Sequence, residues 1–293
     1  MIGELAALGA ATCWTGSSVV FEAAGRRIGS LPLNLIRLGF ALVLLTALAW
    51  IMRGRALPTD FDAHAWAWLS VSGLVGFTLG DLCLFRAFVL VGARLTMLVS
   101  STVPVMVALI AWLALGEVPS GRDALGMLLV VSGVVWAVAA RTRARRGEPH
   151  PQALRGTLLA LGGAAGQAGG LVLGKIGLHG GHPVAGTQIR AFAGLLGFVV
   201  VMSGARLWPR VRDAFADRAA ISLASLGALL GPCVGVSCAL YAISHAPAGV
   251  AAALMGLTPV FILPVARLRG EHIGAAGVAG ALIAVAGVAV LVT

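Results

Sequence analysis

Charged residues are scarce in this chain of 293 residues. They make up 11% of it, whereas hydrophobic residues make up 59% and the mean hydropathy is +0.98. A soluble domain carries roughly 25% charged residues, so this composition excludes one. Several segments run about 20 residues with at most one charge, which is enough to cross about 30 Å of hydrocarbon. The sequence predicts a polytopic helical membrane protein, since a β-barrel would show alternating segments of about 10 residues.

Motifs for catalysis, metal binding and disulfide formation are also missing. The four cysteines (Cys13, Cys83, Cys233 and Cys238) lie in apolar segments without CxxC or Cys/His spacing, and we interpret them as small core residues. The scattered histidines form no metal ligand set. No Ser/His/Asp arrangement, paired carboxylates or phosphate-binding glycine loop is visible, so neither an enzyme nor a cofactor is expected. The apolar helix containing Glu4 lacks a basic n-region and a cleavage site, which predicts a retained helix rather than a signal peptide.

Hydrophobic segments divide the chain into ten predicted membrane spans. A hydrophilic stretch with two prolines and no apolar periodicity, residues 141–155, separates the first five from the last five and is predicted to be a linker. The predicted domains are therefore 1–140 and 156–293. The spans are 3–22, 31–51, 66–88, 93–115, 122–140, 156–174, 184–203, 219–242, 247–267 and 273–292.

The second half repeats the first. Glycines, prolines and an arginine recur at similar spacing, which is the pattern of a duplicated unit. Because each unit has five spans, the second must enter the membrane from the opposite face, so we expect two inverted repeats, as in many transporters. The matched residues are Leu8-Gly9 with Leu161-Gly162, Ile36-Arg37 with Ile189-Arg190, Thr102-Val103-Pro104 with Thr258-Pro259, Gly116-Glu117 with Gly270-Glu271, Gly126 with Gly280, and Gly133 with Gly287.

The formal net charge of +10 comes from the loops. Positive loops are typical of membrane proteins, so we expect a lipid bilayer and no nucleic acid as partner. Fifteen of the 21 basic residues fall on one face, and Arg53, Arg55, Arg122 and Lys175 fall on the other. The positive-inside rule places the first face in the cytoplasm and both termini outside. The fifteen are Arg26, Arg27, Arg86, Arg94, Arg141, Arg143, Arg145, Arg146, Arg155, Arg206, Arg210, Arg212, Arg218, Arg267 and Arg269.

These features resemble the drug/metabolite transporter superfamily, in particular its ten-helix EamA-type members. The motifs that carry the resemblance are Trp14-Thr15-Gly16-Ser17-Ser18, Arg37, Pro104, Gly116-Glu117, the glycine-spaced fifth span, and Ala239-Leu240-Tyr241-Ala242-Ile243, which is similar to the family's Tyr-Ala-Leu segment. The resemblance implies export of amino acids and other metabolites through a cavity between the halves, and the family includes bacterial aromatic amino acid exporters. The chain departs from the pattern at Arg86, which answers to Tyr241, and at Gln167, which answers to Trp14.

Asp81 is the most informative single residue. A carboxylate inside a membrane normally faces a partner or a wet cavity. One interpretation is functional, with Asp81 as a proton-coupling group or a site for a substrate ammonium. The other is structural, with Asp81 in an ion pair with Arg37 on the neighbouring span. The two interpretations are compatible, because a paired acid can exchange partners during transport.

Arg37 and Arg190 occur at matched positions near the start of the second and seventh spans. Long basic side chains there reach the interface, so matched placement favours an architectural role. Arg190 has no evident acidic partner in the sequence. It is therefore the better candidate for binding a substrate carboxylate.

Pro104 and Pro259 lie in the middle of the fourth and ninth spans. Each removes a backbone hydrogen bond and bends its helix, which a membrane tolerates where neighbours or cavity water satisfy the freed groups. We interpret them as gating kinks beside a pore, or as passive kinks.

Polar and aromatic residues around these prolines are candidates for a substrate-binding cavity lined by spans one, three, four, six, eight and nine. Their hydroxyl groups either contact substrate or bond back to their own helices. Trp14 lies mid-span, where it could stack on a flat ligand or simply pack. The candidates are Trp14, Ser100, Ser101, Thr102, Gln167, Ser237, Tyr241, Met255 and Thr258.

Three further patterns concern packing. Gly166, Gly170 and Gly174 have the small-xxx-small spacing that permits close helix contact. The glycines of the fifth and tenth spans suit intramolecular packing better than a dimer, so a monomer is favoured and a homodimer is the alternative. Glu117 and Glu271 are expected at solvated helix ends or in pairs between helices.

The sequence thus predicts a bacterial inner-membrane carrier that exports small organic solutes by alternating access. Amino acids, aromatic ones included, are the leading substrates. Alternatives with the same fold are an exporter of cationic drugs and a carrier of nucleotide sugars or lipid-linked molecules. A channel would show flux without saturation, and a membrane enzyme would lack vectorial movement.

Overall fold

A computed structural model describes residues 1–143, 152–258, 260–261 and 275–292. Within these residues every regular element is helical. The α-helices are α1 (Ile2–Ile28), α2 (Ser30–Arg53), α3 (Ala63–Gly73), α4 (Asp81–Ser100), α5 (Val103–Leu115), α6 (Gly121–Arg143), α7 (Ala153–Leu178), α8 (Pro183–Gly204), α9 (Trp208–Ala216), α10 (Arg218–Ala228), α11 (Val236–His245), α12 (Ala248–Met255) and α13 (Ala275–Val292). A first π segment, Leu74–Gly80, joins α3 to α4, and a second π segment, Leu229–Gly235, joins α10 to α11.

Among the described residues, five helical stretches are long and apolar enough to cross a membrane. Two further helices are apolar but shorter, Val103–Leu115 and Ala275–Leu291. The expected all-helical membrane fold is confirmed. The number of ten spans stays a prediction, because residues 262–274 lie outside the described part of the chain. The five are Ser30–Arg53, Ala63–Ala87, Leu154–Leu178, Pro183–Gly204 and Arg218–His245.

The two halves pack against each other reciprocally. Helix α1 packs against α10, the second π segment and α11, and α7 packs against α3, the first π segment and α4. Helix α2 contacts α8, and α1 and α7 also contact α12 and α5 respectively. The first helix of each half therefore lies against the third helical stretch of the other half, as expected for two similar units. Inversion of the repeats remains a prediction.

Glycines set the closest helix contacts. On α7, a Cβ atom at Gly166 or Gly170 would collide with the backbone of Gly80 or Gly76 in the first π segment. Close packing by the small-xxx-small pattern is thereby confirmed. The glycines of α6 and α13 also face one another within the chain, with Gly133 against Gly280 and Ala284, and Gly126 against Gly287.

The boundary between the third and fourth spans was predicted wrongly. No loop separates 66–88 from 93–115, because α4 continues to Ser100. In the second half the equivalent boundary does break, at Ala246, whose backbone is extended. Pro247 explains this break, since proline disfavours helical geometry in the preceding residue. The matched position in the first half is Gly92, which imposes no such restriction.

The predicted linker is shorter than 141–155, because α6 extends to Arg143 and α7 begins at Ala153. Residues 144–151 lie outside the described residues. Helix α9, between the seventh and eighth spans, was not predicted, because its charged sequence has no long apolar run. It buries Val211 and Ala214.

An ion pair joins the two halves beside α9. Arg27 at the end of α1 donates from Nε to Asp217 at 2.8 Å and from Nη2 to its other oxygen at 3.1 Å. The Arg27 hydrogen bonds lower the pKa of Asp217, as does the backbone N–H of Ala220, which Asp217 caps. A lowered pKa means that this stabilisation is present above the ordinary carboxyl pKa and is lost as the pH falls through the lowered value.

Candidate functional site

A buried ion pair joins Arg37 of α2 to Asp81, the first residue after the first π segment. Their side chains are 10% and 11% exposed. Arg37 Nε also donates to Asn34 Oδ1 at 2.7 Å, and the guanidinium lies 5.4 Å from the centroid of the Phe21 ring. The ion-pair interpretation of Asp81 is confirmed. A role in proton coupling stays a prediction.

Arg190 of α8 is buried as deeply as Arg37 but lacks an acidic partner among the described residues. It is 3% exposed, and its Nε and Nη1 atoms have no hydrogen-bond partner there. Its guanidinium lies 5.3 Å from the centroid of the Phe77 ring and borders Gly76 and Gly174. Because Asp81 and Val236 each directly follow a π segment, Val236 occupies in the second half the position that Asp81 has in the first.

Each matched proline follows a break in its helix, and both breaks lie at the contact between the halves. The chain turns at Ser101 and Thr102 in the first half and at Gly256 and Leu257 in the second. Gly256 lies against the Pro104 ring. Pro104 was predicted to kink a continuous helix, but it falls in the first turn of α5, where its missing N–H is tolerated. Pro259 lies outside the described residues.

Hydroxyl groups near these breaks bond back to their own helices. Ser100 donates to the Thr96 carbonyl at 2.9 Å, and Thr102 donates to Val99 at 2.7 Å. The back-bonding interpretation is therefore confirmed for these residues. Ser101 is 7% exposed.

The second half shows the same back-bonding. Thr258 donates to the Met255 carbonyl at 3.0 Å, and Ser237 donates to Cys233 at 2.6 Å. Thr15 of α1 lies 3.4 Å from the Thr258 carbonyl, so α1 reaches this break. Substrate contact by any of these hydroxyls remains a prediction.

The remaining candidates lie beside the two π segments, in the apolar core and on α11. Trp14 is half-buried against Gly235, the last residue of the second π segment, and the backbone nitrogen of Gln167 lies beside Gly80 of the first. Met255 is buried in the apolar core. Tyr241 stacks on His245 with ring centroids 4.0 Å apart.

A cavity of about 450 Å³ opens at one end of the bundle, between α5, α6, α7 and the α11–α12 junction. None of the candidate residues from the sequence lines it. Its charged lining is an ion pair between Lys175 of α7 and Glu117, just after α5. Lys175 also donates to the Ala246 carbonyl at 3.2 Å, and Glu117 accepts from the Ala248 N–H at 2.8 Å.

Of the two expectations for Glu117, a solvated helix end or a pair between helices, the pair is the one observed. Its partner was not predicted, because Lys175 was used only to orient the chain. The available signal was that the loop with Glu117 and the end of the span before Lys175 were assigned to the same face of the membrane.

Comparisons with known proteins agree with this architecture. The model of the EamA-like transporter family matches residues 1–139 and 154–293, which are the two halves. Among solved structures 25 chains match, and one, described only as "Crystal structure of protein", has a TM-score of 0.76 at 19% identity, covering 99% of this chain and 96% of that chain. That likeness shows the fold. No curated protein matches significantly. The chain belongs to the EamA-like transporter family of the drug/metabolite transporter superfamily and is a membrane transporter.

Proposed function

We propose that this transporter exports small organic metabolites, with amino acids as its first substrates, across the bacterial inner membrane by alternating access. The reciprocal packing of the halves is the observation that supports it most, since two similar units can rock about their contact. The Arg37–Asp81 pair disfavours the alternative of a cationic drug, because such a substrate would first have to displace Arg37 from Asp81. In this proposal the termini are periplasmic, and the protein works as a monomer.

The Lys175–Glu117 pair has the properties of a gate. It joins α5 of the first half to α7 and the α11–α12 junction of the second, and it satisfies helix-end groups of both α11 and α12. Opening this face requires the halves to separate here, so the pair must break. By the distribution of basic residues this is the periplasmic face.

Replacing Glu117 with Gln is expected to make this face open more often. A partly exposed ion pair contributes up to about 1 kcal/mol, so the open population should rise roughly 5-fold. The measurement is the labelling rate of an Ala111→Cys variant by an impermeant thiol reagent, in a background without the native cysteines, since Ala111 is buried beside the cavity.

Asp60→Asn is the matched control for this gate. It breaks the Arg53–Asp60 pair, which lies within the first half and in which the Asp60 side chain is 35% exposed, and should leave the labelling rate unchanged. Equal labelling in the Glu117→Gln and control backgrounds would show that Lys175 and Glu117 do not close this face.

Counterflow in proteoliposomes tests the proposed function. Vesicles loaded with unlabelled amino acids should accumulate the same labelled amino acid only when they contain the protein, and the uptake should saturate. If Asp81 couples transport to protons, Asp81→Asn should abolish the pH dependence of flux. Flux is normalised to folded protein, and the Arg37→Gln/Asp81→Asn double variant controls for the unpaired charge that the single change leaves.

Absence of counterflow for every amino acid would contradict the proposal, and counterflow of cationic drugs or nucleotide sugars would identify one of the alternatives. Unsaturable flux would indicate a channel. Unchanged flux and pH dependence in Asp81→Asn would rule out its coupling role alone.

A further inference from the structure

The two matched arginines differ in one respect. Arg37 has Asp81 as its counter-ion, whereas Arg190 has the apolar Val236 at the matched position. Charges buried in proteins are normally paired, because removing a lone ion from water is costly. Among the described residues the surroundings of Arg190 offer an aromatic ring, glycine backbone and the Ser72 hydroxyl, which already donates to the Gly170 carbonyl. A counter-ion must therefore come from outside this set of residues.

The position of Arg190 allows such a counter-ion to arrive. Arg190 belongs to the second half, but α8 packs against the first π segment of the first half, and the backbone of Arg190 lies against Gly73. The guanidinium thus lies at the contact between the two halves. In the rocking motion of the proposed function these elements would separate, so the motion that moves the solute would also expose Arg190.

A change of partner by Asp81 would not compensate the buried charge of Arg190. Its carboxylate already pairs with Arg37, and moving it to Arg190 would leave Arg37 as the unpaired buried charge. The net count of uncompensated charges would be the same. An external anion removes the imbalance, and the planar guanidinium matches a carboxylate in shape and hydrogen bonding.

We propose that Arg190 binds the carboxylate group of the transported solute, in the place that Asp81 fills for Arg37. This inference rests on the proposed function and specifies its substrates as organic carboxylates. A free anion such as chloride shares the charge but not the planar shape.

Thermal unfolding of the purified protein in detergent provides the test. The probes are the common amino acids, their carboxamides, sodium acetate and sodium chloride. The unfolding midpoint of the wild type should rise by about 2–4 °C when one or more carboxylates are present at several times Kd. It should not rise with the matching carboxamide or with chloride. Arg190→Gln should lose this shift, and Arg190→Lys should keep part of it.

Val236→Asp is the second variant, and it keeps Arg190. It supplies an internal acid at the matched position, since α11 packs against α8. This variant should fold and should also lose the carboxylate shift, so the test does not depend on the folding of Arg190→Gln. Arg27→Gln, which breaks the Arg27–Asp217 pair outside the proposed binding and coupling residues, is the control that should retain the shift.

Equal shifts in wild type and Arg190→Gln, or no carboxylate that stabilises wild type, would overturn the inference. So would equal stabilisation by acid and carboxamide, and stabilisation by chloride alone would show a simple anion site instead. A carboxylate shift that depends on Arg190, found together with no amino-acid counterflow, would contradict only the proposed function.

Discussion

Asp81→Asn is expected to lower the free energy of unfolding by about 3–5 kcal/mol, because it leaves the buried guanidinium of Arg37 without its counter-ion. Arg37→Gln should cost a similar amount by leaving the carboxylate unpaired. The double variant removes both charges and should recover more than half of the loss. Denaturation in mixed micelles, followed by tryptophan fluorescence, measures all three.

Arg190→Gln is the matched control, and its free energy of unfolding should not fall. Because Arg190 has no described counter-ion, neutralising it removes an uncompensated charge and should leave the ligand-free protein equally stable or more stable. A loss as large as that of Arg37→Gln would mean that Arg190 has a structural partner. The comparison would then also weaken the carboxylate-binding inference.

Gly133→Ala is expected to destabilise the protein by about 2–3 kcal/mol, because the new Cβ would meet the backbone of Gly280 and Ala284. Backbone atoms cannot move aside as the end of a flexible side chain can, so α6 and α13 must separate. The measurement is the midpoint of unfolding in the same micelles.

Gly39→Ala is the control for this second prediction. Gly39 lies in α2 with nothing within 4 Å of the added carbon, so the change should be neutral or stabilising by up to about 1 kcal/mol. An unchanged midpoint for Gly133→Ala would show that the contact between α6 and α13 is looser than the structure describes.

Contacts between backbones were the part of the fold that the sequence predicted best. Glycines recur with a fixed spacing in the fifth and tenth spans, at Gly126, Gly133, Gly280 and Gly287. In a membrane, glycine at such positions mainly allows two helices to approach each other closely. The Arg37–Asp81 pair could also be predicted, because opposite charges at similar depth on adjacent helices have few other partners.

The π segments and the partner of Glu117 at the cavity could not be predicted in this way. Pro232 removes one helical hydrogen bond from the second π segment, and Val236 bonds five residues back to Gly231. The first π segment has no proline, so no local signal marks it. Glu117 and Lys175 are far apart in sequence, and only the assembled helix ends bring them together.

The replacement of Asp81 by Val236 has a consequence for the energetics of the transport cycle. If the two repeats were identical in sequence and inverted, the conformation open to one side would be the image of the conformation open to the other, and both would have the same free energy. A difference between these end states can arise only where the copies have diverged. The acid that one copy has and the other lacks is such a place. In the proposed inverted arrangement it would favour one resting orientation of the carrier over the other.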